Sequence, residues 1–184
     1  MKISNKTESA QAIKALGLNE LPTGIFKKGQ TAEVLQFLKQ YPAKYYAIRD
    51  RANAGGIFKM PVKAEDVLKE IKGYSLFSIN ISNLNYANSQ LLTGEIQIKD
   101  DMIYAIGSTN STYSLRDAYK DPTFNISTNI LDDATLSKIP HLDKVIQYIL
   151  DHGLQGLIVE FSLFDKKVGT KNDYIVVYEL RTEY

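Results

Sequence analysis

The stretch LIVEFSLFDKKVGTKNDYIVVYELRTEY, residues 157–184, constrains the fold of this chain more than any other. Two runs rich in branched and aromatic residues flank a polar segment with one glycine. That is the pattern of a β-hairpin whose strands are covered on both faces. Yet each run carries a glutamate, Glu160 in one and Glu179 in the other, and an unpaired buried carboxylate is costly. With the turn centred between Gly169 and Thr170, the register sets Glu160 opposite Glu179, their side chains about 5 Å apart on one face. Period-two alternation puts Arg181 on that face as well. Facing like charges need something between them. One answer is a divalent cation, since magnesium is commonly held by one or two carboxylates plus phosphate oxygens. The other is a register slipped by two residues, with the glutamates paired to lysines at the sheet edge.

Upstream, TESAQAIKALG reads as a short amphipathic helix and LPTGIF as a strand. TAEVLQFLKQY places Val34, Leu35, Phe37 and Leu38 on one helical face. KYYAIRD and IFKMPV read as strands, KAEDVLKEIKG as a helix stopped by Gly73, and FSINIS as a strand. SQLLTGEIQI and MIYAIGS read as paired strands. Residues 109–133, with Pro122 and many Asn, Thr and Asp, read as irregular. HLDKVIQYILDHG is a helix bounded by Pro140 and Gly153. Strands outnumber helices and much of the pairing is expected to be antiparallel, so the class is α+β. The expectation is one domain over 1–184, or two small lobes of about 1–73 and 74–184.

Composition closes several routes. There is no cysteine, which excludes disulfides, thiolate catalysis and cysteine-bound zinc. The two histidines, His141 and His152, flank one helix, too few for a multi-histidine metal site. The net charge of +1 gives no support to a nucleic-acid footprint. No apolar run approaches a membrane span and the first residues are too polar for a signal peptide, so the cytoplasm is the expected location.

A second candidate site is RANAGG, after Arg49 and Asp50. Small residues at Ala54, Gly55 and Gly56 let backbone amides approach a ligand, and such a turn can form an anion nest for phosphate. Lys59 would stand beside it as a point charge. A plain hairpin turn is the competing reading. Asp132 and Asp133 read as a helix cap rather than a metal site. Arg116 and Asp117 lie in the irregular segment, where a functional pair and a surface ion pair are both open. His141 and His152 read as solvated helix-end residues.

Taken together, these pieces resemble an ATP-grasp nucleotide-binding fold, in particular the ATP-binding domain of the pyruvate phosphate dikinase and phosphoenolpyruvate synthase family. AIRDRANAGGIFKMPVKAEDVLKEIKGYSLF follows that family's order of arginine, small-residue stretch and helix, with Arg49 at the arginine position. FSINISNLNYANSQLLTGEIQI resembles its adenine-side strands followed by a small-residue–glycine turn, here Thr93-Gly94. LIVEF and YELRT resemble its last two strands. The serines of the family's arginine strand are here Asp50 and Arg51, and its final proline is Thr182. The resemblance implies ATP and magnesium as ligands, with Glu160 and Glu179 on the metal, Arg49 and Arg181 as catalytic charges, and Ala54, Gly55, Gly56 and Lys59 at the phosphates. It implies phosphoryl transfer or ligation on an unknown acceptor. A non-catalytic, nucleotide-responsive or protein-interaction module on the same scaffold stands beside that, with a partner surface in residues 104–124. A single-stranded nucleic-acid binder using Tyr45, Tyr46, Tyr86, Tyr104, Tyr113 and Tyr119 is a third reading, opposed by the charge.

Overall fold

A computed structural model describes residues 2–53 and 56–182. Along the chain, α1 (Lys6–Ala15) precedes β1 (Thr23–Lys27), α2 (Thr31–Gln40), β2 (Tyr45–Asp50), β3 (Phe58–Lys63), α3 (Val67–Glu70) and β4 (Leu76–Ile81). Then come β5 (Gln90–Lys99), β6 (Met102–Ser108), α4 (Leu115–Lys120), β7 (Phe124–Asn129), α5 (Asp133–Leu136), α6 (Leu142–Asp151), β8 (Ile158–Val168) and β9 (Asp173–Arg181). The chain divides into two compact units, Met1–Glu20 with Tyr86–Tyr184, and Leu21–Asn85. The division falls at residues 85/86 rather than near 73, because β4 is an inner strand of the Leu21–Asn85 sheet.

That sheet has the order β1-β4-β2-β3, all antiparallel. The last strand of the unit thus lies between its first and second, and its residues Phe77, Ile79 and Ile81 are buried. Under α2 the aromatic rings close the core: Phe26 lies 5.8 Å from Phe37 and 5.9 Å from Phe77 between centroids. On α2 only Val34 and Phe37 of the expected face are buried, whereas Leu35 is 49% exposed. The helix expected to end on Gly73 is one α-turn between two 3-10 turns, Ala64–Asp66 and Ile71–Gly73. Only Val67 and Ile71 are buried there, too narrow a seam to hold a longer helix.

The larger unit carries a five-stranded antiparallel sheet, order β7-β6-β5-β8-β9. One face packs on α1 and α6 through Ile13, Leu92, Ile96, Ile103, Leu142, Ile149, Val159, Phe161 and Val177. Residues 109–133 are more regular than their composition suggests. Ser114 and Asp117 form a capping box on α4, and β7 pairs with β6 as an edge strand. An edge strand alternates polar and half-buried residues, which reads as loop.

The β8–β9 hairpin closes at Val168 and Asp173, so the turn is residues 169–172 and is not centred between Gly169 and Thr170. Irregularities between Leu163 and Val168, and between Glu160 and Phe161, shift the register by a net two residues from the turn, and Glu160 pairs with Glu179. Asn19, 2% exposed, ties this hairpin from outside. Its Nδ2 donates to the carbonyls of Val168 (2.9 Å) and Ile175 (2.8 Å), and its Oδ1 accepts from Lys171 N (2.8 Å). Gly169, at φ +83°, is required here, since a Cβ would lie 2.5 Å from Asn19 Oδ1. The outer edge of β9 is satisfied by the N-terminal segment: Val177 N donates to Asn19 O, Leu180 N to Ser9 Oγ and Thr182 N to Ile3 O.

Candidate functional site

The second face of the five-stranded sheet is polar yet largely buried. Thr93 pairs with Ser108 on one side and Ser162 on the other, and all three are fully buried. Ser162 Oγ lies within hydrogen-bond distance of Thr93 Oγ1 (2.9 Å) and Gln90 Oε1 (3.1 Å), with one proton to give to either, and Thr93 Oγ1 donates to the Phe161 carbonyl (3.1 Å). Two residues along, Glu95 on β5 pairs with Glu160 on β8, which pairs with Glu179 on β9. Three carboxylates therefore stand in a row across three neighbouring strands.

Arg181, next on that face of β9, answers the row. Its Nη1 donates to Glu160 Oε1 at 2.7 Å and lies 3.7 Å from Glu179 Oε1, and its Nη2 bonds Glu95 Oε2. Lys6 Nζ, from the start of α1, stands 3.6 Å from Glu179 Oε2. Tyr119 of α4 donates its hydroxyl to Glu95 Oε2 at 3.3 Å. Burial, and then the charge of Glu179, push the Glu160 carboxyl above its ordinary range, against the pull of Arg181. Burial, with the charges of Glu160 and Glu95, pushes the Tyr119 hydroxyl up strongly, so it stays a donor. Glu95 and Lys6 were not anticipated from sequence. A glutamate inside the apolar run GEIQI is the same signal that marks Glu160. Tyr119 was read as a ring for base stacking, whereas its hydroxyl is bonded to Glu95.

The carboxylates are the right donor type for magnesium. The guanidinium nonetheless lies against the oxygens that a bridging ion would use. Among the described residues, no group of three or more acidic or histidine side chains is arranged to hold a metal ion. The arrangement does not fit a resident divalent cation.

The candidates around RANAGG belong to the Leu21–Asn85 unit. Ala54 and Gly55 lie outside the described residues. Asp50 turns its carboxylate into the turn, accepting from Ala52 N (2.9 Å) and Asn53 Nδ2 (3.2 Å), while Gly56 N donates to Asn53 O (3.1 Å). The amides described there thus serve the chain's own groups. A Cβ on Gly56 would lie 2.8 Å from Asp50 Cβ, so the glycine permits this close packing. Arg49 pairs with Phe58 and sets its guanidinium over that ring, 4.5 Å from the centroid. Lys59 pairs with Ile48, hence faces the other side of the hairpin, and its ammonium is ion-paired with Glu70. Arg51 donates Nε to Ser78 Oγ at 3.0 Å. Thr93 and Gly94 do not form a turn. They lie within β5, and Gly94 sits directly opposite Gly107.

The minor candidates are structural. Asp132 caps α5 by accepting from Thr135 N, and Asp117 belongs to the α4 capping box. His141 precedes α6 at φ +68°, and His152 Nδ1 lies 2.8 Å from the Tyr148 carbonyl. Tyr46, 1% exposed, has its hydroxyl bonded to Tyr41 O and Ala43 N, so it offers no ring for base stacking. Among the described residues, no helix is long and apolar enough to cross a membrane.

No family model matches the chain, and no curated protein matches it. Solved structures do. The N5-carboxyaminoimidazole synthase of Aspergillus clavatus, in complex with ADP and 5-aminoimidazole ribonucleotide, aligns with a TM-score of 0.52 at 13% identity, over 100% of this chain and 45% of that one. The macrocyclase MdnC of Microcystis aeruginosa, bound with precursor peptide MdnA, aligns at 0.47 and 16% over 95% and 50%. The D-alanine-D-alanine ligase of Coxiella burnetii aligns at 0.47 and 11% over 95% and 46%. The chain spans about half the length of each. The Aspergillus alignment supports the α+β, ATP-grasp-like fold. The closer likeness to pyruvate phosphate dikinase and phosphoenolpyruvate synthase is not shown.

Proposed function

We propose that this protein binds a nucleotide, ATP or ADP, with the polyphosphate end at the polar face of the five-stranded sheet. The observation that carries the reading is Arg181, a cation set among Glu95, Glu160 and Glu179 on that face. Two supports accompany it: the ATP-grasp-like fold, and the ADP in the Aspergillus structure that shares it. A guanidinium is always charged and its forked donors suit phosphate oxygens; both arms are held by Glu160 and Glu95, so the reading has Arg181 exchange a carboxylate for phosphate. The chemistry to which such a fold lends itself is ATP-dependent ligation or phosphoryl transfer to an acceptor not identified. There, preorganised positive charge would stabilise the leaving phosphoryl group.

A second reading is binding without turnover, as a nucleotide-responsive or protein-interaction module. It is favoured by one observation: described backbone amides of the turn proposed as a phosphate nest donate within the chain, Ala52 N to Asp50 and Gly56 N to Asn53 O.

Calorimetric titration of the purified chain with ADP and with ATP tests the proposal. Saturable binding is expected, together with a stabilisation of about 2.7 kcal/mol at ligand 100 times its dissociation constant. Arg181→Ala should weaken binding by tenfold or more, on the order of one lost charge-assisted contact. No binding of either nucleotide at millimolar concentration would overturn the reading. Release of ADP from ATP in the presence of candidate carboxylate acceptors separates the catalytic reading from the second one.

A further inference from the structure

The carboxylate row gathers three negative charges, and a cation, the Arg181 guanidinium, already lies against them. Glu95, Glu160 and Glu179 come from three adjacent strands, and their side chains are only 17%, 13% and 16% exposed. Three negative charges in a partly buried row repel one another strongly, since the water that would screen them is largely excluded. A row of this kind is stable only with a positive charge inside it. Mobile divalent ions meet that need in many proteins. Here the chain supplies the charge from within the row itself, two residues beyond Glu179.

The geometry shows why the two solutions exclude each other. A bridging magnesium ion would sit about 2.1 Å from an oxygen of each carboxylate it joins. Arg181 Nη1 lies 2.7 Å from Glu160 Oε1 and 3.7 Å from Glu179 Oε1, which is the space that such an ion would need. The other arm of the fork engages Glu95. Because the guanidinium is planar and forked, one side chain on the edge strand β9 reaches carboxylates on β8 and, one strand further, on β5. Lys6 adds positive charge on the far side of Glu179, and Tyr119 donates to Glu95 from α4. Every carboxylate of the row therefore has a protein partner.

We propose that Arg181 is a built-in cation that takes the place of a divalent ion in the Glu95–Glu160–Glu179 row, and that nucleotide binding at this face is independent of divalent metal. The second half rests on the nucleotide reading above; the first half does not.

Two measurements test it. The first is titration with Mn2+, followed by electron paramagnetic resonance of the free ion, on the wild type, Arg181→Gln and Arg181→Gln/Glu160→Gln. The wild type should take up no Mn2+ at submillimolar concentration. Arg181→Gln should take up one ion, and the double variant should lose it again. Uptake by the wild type that Glu160→Gln abolishes would overturn the proposal. So would a folded Arg181→Gln that takes up none. Should Arg181→Gln fail to fold, the wild-type titration decides alone, and Arg181→Lys, which keeps the charge, should remain folded and free of Mn2+.

The second measurement is ADP affinity in EDTA and in excess magnesium. The two dissociation constants should agree within about twofold, whereas a requirement for magnesium would overturn metal independence. If ADP binds in neither condition, the nucleotide reading falls, and the Mn2+ titration still decides the nature of the row.

Discussion

Gly94→Ala should be among the most damaging single substitutions in this chain. Gly94 lies buried in β5, the central strand of the five, directly opposite Gly107 on β6 and Phe161 on β8. A Cβ added there would stand 2.3 Å from the Ile106 carbonyl oxygen and 2.8 Å from Gly107 Cα. Close carbon–oxygen contacts between strands settle at about 3.3–3.6 Å, so the neighbour would have to move by roughly 1 Å. Both obstacles are backbone, held in a ladder on each side, and no rotamer change relieves them. Overpacking of a core typically costs about 1–3 kcal/mol, and the immovable obstacle places this case near about 3 kcal/mol. For a chain of this size that corresponds to a fall in Tm of about 6–12 °C. Thermal unfolding followed by circular dichroism measures it. Gly73→Ala, where a Cβ meets nothing within 4 Å, is the control and should leave Tm within about 2 °C. A Gly94→Ala protein that melts with the control would refute the steric argument.

Asn19→Ala should cost about 3 kcal/mol in urea denaturation, because it strands the Val168 and Ile175 carbonyls and the Lys171 amide at a buried position. A loss below about 1 kcal/mol would show that water replaces the side chain. Glu160 has its pKa held above the ordinary 4.5 by burial first and by Glu179 second. The folded chain therefore holds that proton more tightly than the unfolded one, and the stabilisation is lost as pH rises through the window from 4.5 up to the raised value. Relative to Glu160→Gln, the wild type should lose stability as pH rises above the ordinary 4.5; parallel curves would contradict the sign.

The hairpin of β8 and β9, and the meeting of Glu160 with Glu179 on it, were legible because strand pairing across a short turn is a local matter. Runs of branched residues, a glycine and a period of two suffice to set it. The Asp132 cap of α5, the bounds of α6 and the strand content of the Leu21–Asn85 unit were legible for the same reason. The order of strands was not, because β4 comes to lie between β1 and β2 through pairings spread over about fifty residues, which no local signal encodes. β7 escaped notice because an edge strand half in water is composed like a loop. The carboxylate row shows the division most plainly. The sequence by itself pointed to two like charges facing each other, with Arg181 on their face, but not to the register irregularities through which they meet. Only the tertiary structure brought Glu95 across from β5 and Lys6 from α1, and turned Arg181 toward the carboxylates. A charge in a sheet takes whichever partner the fold carries within reach, and that partner is chosen by packing of distant segments rather than by its neighbours in the chain.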